Sequence, residues 1–372
     1  MTADTLTHLA HGARRAAAVA ALHAADADAE RRLDPAVVAE LTGAGFARHF
    51  VPLAHGGREG TFAELTEAVA VLGGACVSAA WVAGLSAAVS RMAAHLPEKG
   101  RAEVWADGPD AFIVAAQASD GTAEETDGGW VVRGSWPYVS AVEYADWALV
   151  RARETGEVGT VRYFAVPRTG FRVEHTWQSV GMRGTGSHTL VVDEAVVPLE
   201  RTFRQDDLLR GESGLPAACH RVPLAMVSGL TFTAPALGAA RALLTGDHPL
   251  VRRLAAGPAG SASQVDLLWS RGEVDAAGLL LERAAVNADT AVPDAAAVAR
   301  GGRDCAVAAR FLASAVDRLF RAAGTAAHQE TDVMQRVWRD VTCELSHRSL
   351  NAGTHAAVHA EGLAAPAAAL SE

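Results

Sequence analysis

Motifs that would assign this chain on sight are missing. It has no Cys-x-x-Cys pair, no Gly-x-Ser-x-Gly elbow, no Walker A loop and no His-Glu-x-x-His helix. Its four cysteines, Cys76, Cys219, Cys305 and Cys343, are widely scattered. That spacing excludes a disulfide framework and fits reduced thiols in a cytosolic protein. Acidic residues outnumber basic ones, 43 to 33, for a net charge of −10. With no basic stripe to neutralise phosphates, nucleic-acid binding is not expected. An anionic cofactor would have to be held by local arginines and backbone amides. No basic-then-apolar leader opens the chain, so the expectation is a cytoplasmic protein. The uncharged run from Ala68 to Ser90 is long enough for a membrane span. It consists mostly of Ala, Gly, Ser and Val, however, and Gly73-Gly74 interrupts it. A helix that is apolar on all sides in a soluble protein is a buried one.

What is present is an order of periodicities. Half of the 372 residues are apolar and a fifth charged, enough for two or three layers of core. Residues 1 to about 30 read as an Ala-rich surface helix. Asp34-Pro35 sets an N-cap and first turn, and Gly43 and Gly45 close the short helix that follows. Another helix starts at Thr61, with Glu64 and Glu67 expected to face outward, and a fourth covers Cys76 to Leu96. From Ala111 the period changes to short β-type runs, FIVAAQAS, GWVVRG, DWALVRAR, TVRYFAVP and HTLVVDEAVVP. Helical patterning returns near Leu215, with candidate helices at 221–245, 262–290, 296–323 and 332–360.

Two stretches carry the densest site chemistry. Gly134 to Ala152 reads as a strand end, a turn bearing Trp136, Pro137, Tyr138 and Ser140, and a new strand from Trp147. Thr176 to Pro198 holds the Gly-rich turn GMRGTGSH before another strand; its spacing is not that of a dinucleotide-binding loop, and no βαβ unit follows. Five segments then resemble, in order, the acyl-CoA dehydrogenase fold in its reduced-flavin monooxygenase branch. They are VPLAHGG (from Val51), SAAWVAG (from Ser78), the corner WPYVS, W-x-x-x-GMRGTGS (from Trp177) and AAGTAAHQETDVMQRVWRD (from Ala322).

The resemblance implies an α+β protein: an N-terminal helical domain (1–109), a middle β-barrel domain (110–214) and a C-terminal four-helix bundle (215–372). It implies a two-component monooxygenase that takes diffusible reduced FMN or FAD from a separate reductase. O2 would add at flavin C4a, and a small organic substrate would be hydroxylated or N-oxidised, as in specialised metabolism. A homotetramer, or a homodimer, is the expected assembly. By the same resemblance Ser140 and His347 are the catalytic candidates. Gln117, Trp136, Tyr138, Ser140, Arg183, Thr185, Ser187 and Arg339 are the cofactor-binding ones. A flat isoalloxazine wants an aromatic wall, expected from Trp136 and Tyr138, and hydrogen-bond partners round its edge. No metal site is expected: His355 and His359 stand one turn apart without a third ligand. The chain also departs from the family. No Glu stands at the dehydrogenase base position near His347, with Glu344 three residues early and Glu273 or Glu282 elsewhere. Ala141 replaces the usual Gly after the corner serine, and GLSAAVSRM lacks the second histidine of many hydroxylases. Two alternatives therefore stay open, an FAD-holding dehydrogenase and a flavin-free member of the fold.

Overall fold

The computed structural model describes residues 3–156 and 159–364. Five helices come first: α1 (Ala3–Glu30), α2 (Pro35–Ala44), α3 (Phe62–Gly73), α4 (Val77–Ala93) and α5 (Glu98–Val104). Their starts follow local chemistry. Asp34 accepts the Ala36 N–H at 2.7 Å, Pro35 sits in the first turn, and Gly45 closes α2 in the left-handed region. Thr61 caps α3 through the Glu64 N–H at 3.2 Å. The uncharged run is divided between α3 and α4, and a Cβ on Gly73 would stand 2.2 Å from the Pro235 carbonyl oxygen. No helix of the described residues is long and apolar enough to cross a membrane. Helix α1 lies on the surface but buries a stripe from Leu9 through Ala13, Ala16, Ala20, Ala24 and Ala27. Glu64 corrects an expectation: it faces inward, Oε2 has no partner, and burial pushes its carboxyl up to about 7.

Strands β1 (Ile113–Thr126), β2 (Gly129–Val139), β3 (Trp147–Glu154), β4 (Val161–Pro167), β5 (Arg172–Glu174), β6 (His188–Val197) and β7 (Thr202–Arg204) form one seven-stranded sheet. The order is β5-β6-β2-β1-β3-β4-β7, with β1 and β3 parallel and the other pairs antiparallel. Trp136, Pro137 and Tyr138 belong to β2 and not to a turn beyond it. The β2–β6 register slips between Trp136 and Val139, where Pro137 can give no ladder donor. Ser140 and a short turn at Val142–Tyr144 then lead to β3.

The C-terminal part holds α6 (Gln205–Arg210), α7 (Leu224–Thr231), α8 (Ala234–Leu243), α9 (Pro249–Ala255), α10 (Ala262–Thr290), α11 (Ala295–Ala323), α12 (Val333–Glu344) and α13 (Ala352–Ala364). Helices α10 and α11 match the periodicity closely. The expected 221–245 helix breaks at Thr233, whose Oγ1 donates to the Gly229 carbonyl at 2.7 Å, and Pro235 starts the next helix. The expected 332–360 helix breaks after Glu344, which puts His347 in a short connection. One apolar cluster runs through the helices and the sheet, so that α4 is packed between the sheet and α7–α8.

Candidate functional site

A cavity of about 730 Å³ opens between α3, α4, the end of the sheet, α7, α8 and the segment after α12. Its walls are largely apolar, with Phe62, Trp81, Phe112 and Phe232 among them. Gln117, Tyr138, Ser140, Thr185, Ser187 and His347, which lie far apart in sequence, all line it. Tyr138 stands at the solvent side, 68% exposed, edge-on to Trp177 at 6.3 Å. Gln117 holds a rigid place, accepting from the Tyr163 hydroxyl at 3.2 Å.

Three hydroxyls there form a chain with a fixed direction. Trp81 Nε1–H donates to Ser140 Oγ at 3.0 Å. Ser140 Oγ lies 2.9 Å from Ser187 Oγ, which lies 2.6 Å from Thr185 Oγ1. Thr185 spends its proton on the Met182 carbonyl at 2.8 Å. A hydroxyl has one proton to give. Thr185 must therefore accept from Ser187, and Ser187 from Ser140. Ser140 has its proton engaged and offers the cavity only a lone pair. The backbone around this chain is strained: Tyr138, Ala141 and Met182 have φ of 64°, 55° and 54°, and all three line the cavity. At Ala141 that conformation is one a glycine would adopt without the steric cost of a Cβ.

His347 reaches Trp81 from the segment after α12. Its ring stacks on Phe232 at 3.7 Å between centroids and stands edge-on to Trp81 at 5.8 Å. Nδ1 accepts the Ser349 N–H at 3.3 Å, so in the neutral ring the proton is on Nε2. Burial, with Arg348 next to it, lowers its pKa to about 4. At neutral pH His347 is thus an uncharged N–H donor.

Three of the expected residues are placed elsewhere. Trp136 is fully buried inside the sheet and donates from Nε1 to the Arg151 carbonyl at 2.8 Å. Its ring fills space that Gly121 and Gly134 leave open, where an added Cβ would come within 2.4 and 2.6 Å of it. It forms no wall; Trp81 and Phe232 do. Arg339 grips Asp28 of α1 at 2.9 Å and also donates to the Val180 carbonyl. Its neighbour Asp340 accepts the Met182 N–H at 2.6 Å, and Arg183 Nε is 3.7 Å from Asp28. Neither arginine lines the cavity. Together these residues join α1, the Gly-rich turn and α12. A Cβ on Gly181 would lie 2.1 Å from the Arg339 carbonyl oxygen, so the turn must be bare there.

Sequence reasoning passed over Trp81, Phe232 and Arg91, and weighed Glu344 only as a carboxylate three residues from the base position. Glu344 lines the cavity, is 1% exposed, and accepts the Ala236 N–H at 3.1 Å. Burial raises its pKa well above the ordinary value, which favours the neutral acid over an ionised base. Glu273 is paired with Arg318 at 2.7 Å, Glu282 is exposed, and neither lines the cavity. Cys76, Cys219 and Cys305 are buried with thiols raised to about 11, 12 and 12, too high for nucleophiles. Outside the cavity, Glu143, His175 and His188 cluster with ligand-type atoms within 4.8 Å of one another. His188 Nδ1 already accepts the Trp177 N–H at 3.2 Å, which leaves the ring proton on Nε2, facing Glu143.

The cavity fits a flavin ring on its own evidence. It is large enough for a tricyclic ring with a small partner, has aromatic walls, and has an oriented lone pair at Ser140 and an N–H at His347 for a polar ring edge.

Comparison with known proteins agrees with this geometry. Residues 108–195 match the profile for the acyl-CoA dehydrogenase middle domain, and residues 230–352 that for the acyl-CoA dehydrogenase C-terminal domain. The FADH(2)-dependent resorcinol hydroxylase, oxygenase component, of Rhizobium sp. is 30% identical over 351 residues, covering 86% of this chain and 85% of that protein. The flavin-dependent monooxygenase oxygenase subunit HsaA of Mycobacterium tuberculosis is 30% identical over 334 residues, 83% of each chain. Among solved structures, XiaF from Streptomyces sp. in complex with FADH2 and glycerol superposes with a TM-score of 0.87 at 28% identity, over 97% of this chain and 96% of that one.

Proposed function

Because the chain belongs to the acyl-CoA dehydrogenase superfamily, within its flavin-dependent monooxygenases, we propose that it is the oxygenase component of a two-component system acting on a small aromatic metabolite. A separate reductase supplies the reduced FMN or FAD, and O2 is the co-substrate. Reduced flavin, when bound, supplies the electrons that activate O2. The observation that carries this reading is the meeting of Ser140 and His347 at Trp81 in a largely apolar cavity whose one lining carboxyl, Glu344, is fully buried and already accepts the Ala236 N–H. A dehydrogenase of this fold would want an ionised carboxylate at that place.

The residues have separate tasks. Ser140, fixed by Trp81 and Ser187, accepts a hydrogen bond from the ring edge. His347 Nε2–H donates one to an oxygen bound beside the ring, and being neutral it adds no charge to a low-dielectric site. The apolar side chains of α4 and α7 exclude water, which suppresses loss of activated oxygen as hydrogen peroxide. Arg339, Asp340 and Arg183 hold the Gly-rich turn in register as positioning residues. The assembly proposed is a homotetramer through the C-terminal helices, to be read by light scattering on the purified protein.

The deciding experiment is anaerobic titration with reduced FMN and reduced FAD, followed by mixing with oxygenated buffer and a phenol or indole. Tight binding of reduced flavin and a hydroxylated product are expected. Absence of reduced-flavin binding sinks the proposal and leaves the fold as a flavin-free scaffold. Copurification of tightly held oxidised FAD would move the protein to the dehydrogenases.

A further inference from the structure

The cavity has a second polar region, set apart from the Ser140–His347 end. A serine or threonine inside a helix ordinarily spends its hydroxyl on a carbonyl one turn back. Ser86 and Thr233 do so, donating to the Ala83 and Gly229 carbonyls at 2.8 and 2.7 Å. Thr66 of α3 and Ser228 and Thr231 of α7 do not. All three line the cavity and are half-buried, and their hydroxyls have no hydrogen-bond partner among the described residues. Ser228 and Thr231 stand three residues apart, so they share one face of α7.

Gly84 adjoins this region. It sits in the interior of α4, where glycine costs stability relative to alanine. Neither backbone nor packing asks for it: its φ is not positive, and a Cβ there would meet Thr231 Cγ2 and Val69 Cγ2 at 3.5 Å, an ordinary contact distance. What the missing methyl leaves is cavity space where α3, α4 and α7 meet. Leu65, Thr66, Val69, Val227, Ser228 and Thr231 line its α3 and α7 sides, and none is ionisable. A charged group entering there would lose its water without gaining a counter-ion. Hydroxyls, by contrast, both give hydrogen bonds to a neutral group and accept them from it. The recess is close to the reacting end. Gly84 follows Trp81 by three residues, about 4.5 Å along the helix at 1.5 Å per residue. Phe232, next to Thr231 in the chain, stacks on His347.

We propose that the recess at Gly84 is a subsite for a neutral hydroxyl or keto group at the far end of a substrate whose other end is hydroxylated, with Thr66, Ser228 and Thr231 as its hydrogen-bond partners. The word substrate rests on the monooxygenase reading, but the main test contains no flavin. Dissociation constants are measured by calorimetry for phenol, 2-naphthol, 2,6-dihydroxynaphthalene and 6-hydroxy-2-naphthoate. The distal hydroxyl should make the diol bind about 5- to 30-fold tighter than 2-naphthol, the range of one or two neutral hydrogen bonds. The naphthoate should bind more weakly than the diol. A triple variant, Thr66→Val with Ser228→Ala and Thr231→Val, should bring the diol preference to one or below. Ser86→Ala, whose hydroxyl is already spent on a carbonyl, should leave it unchanged. Gly84→Ala should raise the melting temperature while weakening both naphthols relative to phenol. The assignment is overturned by equal binding of the diol and 2-naphthol, by no binding of either, or by tighter binding of the naphthoate. It is also overturned by a preference that survives the triple variant or is lost equally in Ser86→Ala. The comparison within the unaltered protein stands even if the triple variant fails to fold. A last arm repeats the diol and 2-naphthol measurements under nitrogen with reduced FMN bound. A preserved preference supports the subsite; a lost one means that flavin fills the recess, and the proposal falls. Failure of reduced flavin to bind at all, with the diol preference intact, would refute the monooxygenase reading and not this one.

Discussion

Removing the Ser187 hydroxyl should change which redox state of flavin the protein prefers. In the native chain Ser140 gives its proton to Ser187 and receives one from Trp81, so toward a ligand it can only accept. Reduced flavin carries a hydrogen on N5 and oxidised flavin a bare lone pair. If Ser140 meets that edge, the native site offers a bond to the reduced ring and two facing lone pairs to the oxidised one. Ser187→Ala frees the Ser140 proton to turn into the cavity. The change exchanges an unmade bond for a made one with oxidised flavin, worth about 1–3 kcal/mol, or roughly 5- to 150-fold in dissociation constant. Reduced flavin should change by less than about 3-fold, because Ser140 keeps a lone pair. Loss of two hydrogen bonds should also lower stability by about 2 kcal/mol, read by urea denaturation. Thr185→Val must act in the same direction, because it removes the acceptor of the Ser187 proton and lets the chain reverse. The assay is fluorescence titration with oxidised FMN in air and reduced FMN under nitrogen. If both variants weaken the two redox states equally, or leave their ratio unmoved, the directional argument is wrong.

Two further outcomes follow from other parts of the site. His347→Asn should raise the ratio of hydrogen peroxide to hydroxylated product about 10-fold or more, the scale of a lost positioned proton donor. Since His347 stays neutral above about pH 4, the native ratio should show no inflection between pH 6 and 8 that disappears in this variant; such an inflection would falsify the neutral-donor assignment. Asp340 titrates near 7 because it is buried, against an ordinary value of 3.8. Its folded pKa is raised, so the stability it contributes is full below about pH 4 and is lost as pH rises through 7. The stability of the native protein relative to Asp340→Asn should therefore decline by a few kcal/mol between pH 5 and 8, measured by denaturant unfolding. A relative stability that is flat or rises over that range contradicts the assignment.

How far these residues were legible in sequence depends on how local their cause is. The caps at Asp34 and Thr61, the glycines that stop helices and the change of period at Ala111 act within a turn or a strand, and each appears where expected. Trp136 was misplaced because strand side chains alternate and a slip of one residue reverses the face. Trp136 lies before the irregular register at Pro137 and keeps the alternation of Trp130 and Val132, which puts it on the buried face once β2 is seen to run on to Val139. Its fit also depends on Gly121 and Gly134, which carry no such meaning in the linear chain. Arg339 and Asp340 were visible as a motif, but their partners Asp28 and Met182 lie 311 and 158 residues away, and those partners make them a joint between parts of the fold. Trp81 read as one more apolar residue of a buried helix until Ser140, 59 positions on, met its indole N–H. The burial of Arg91 had a signal in the sequence that was not used. The segment GLSAAVSRM was searched for a histidine, and an arginine on a helix is ordinarily taken to reach solvent. Yet Arg91 is the first charge after the uncharged run that ends at Ser90. A cation at the end of a helix apolar on all sides has no polar face of its own to occupy. It must either reach solvent beyond the helix end or find a partner inside. Arg91 takes the second course: it is buried, and its NH1 donates to the carbonyls of Cys219 and Val222, 128 and 131 residues away.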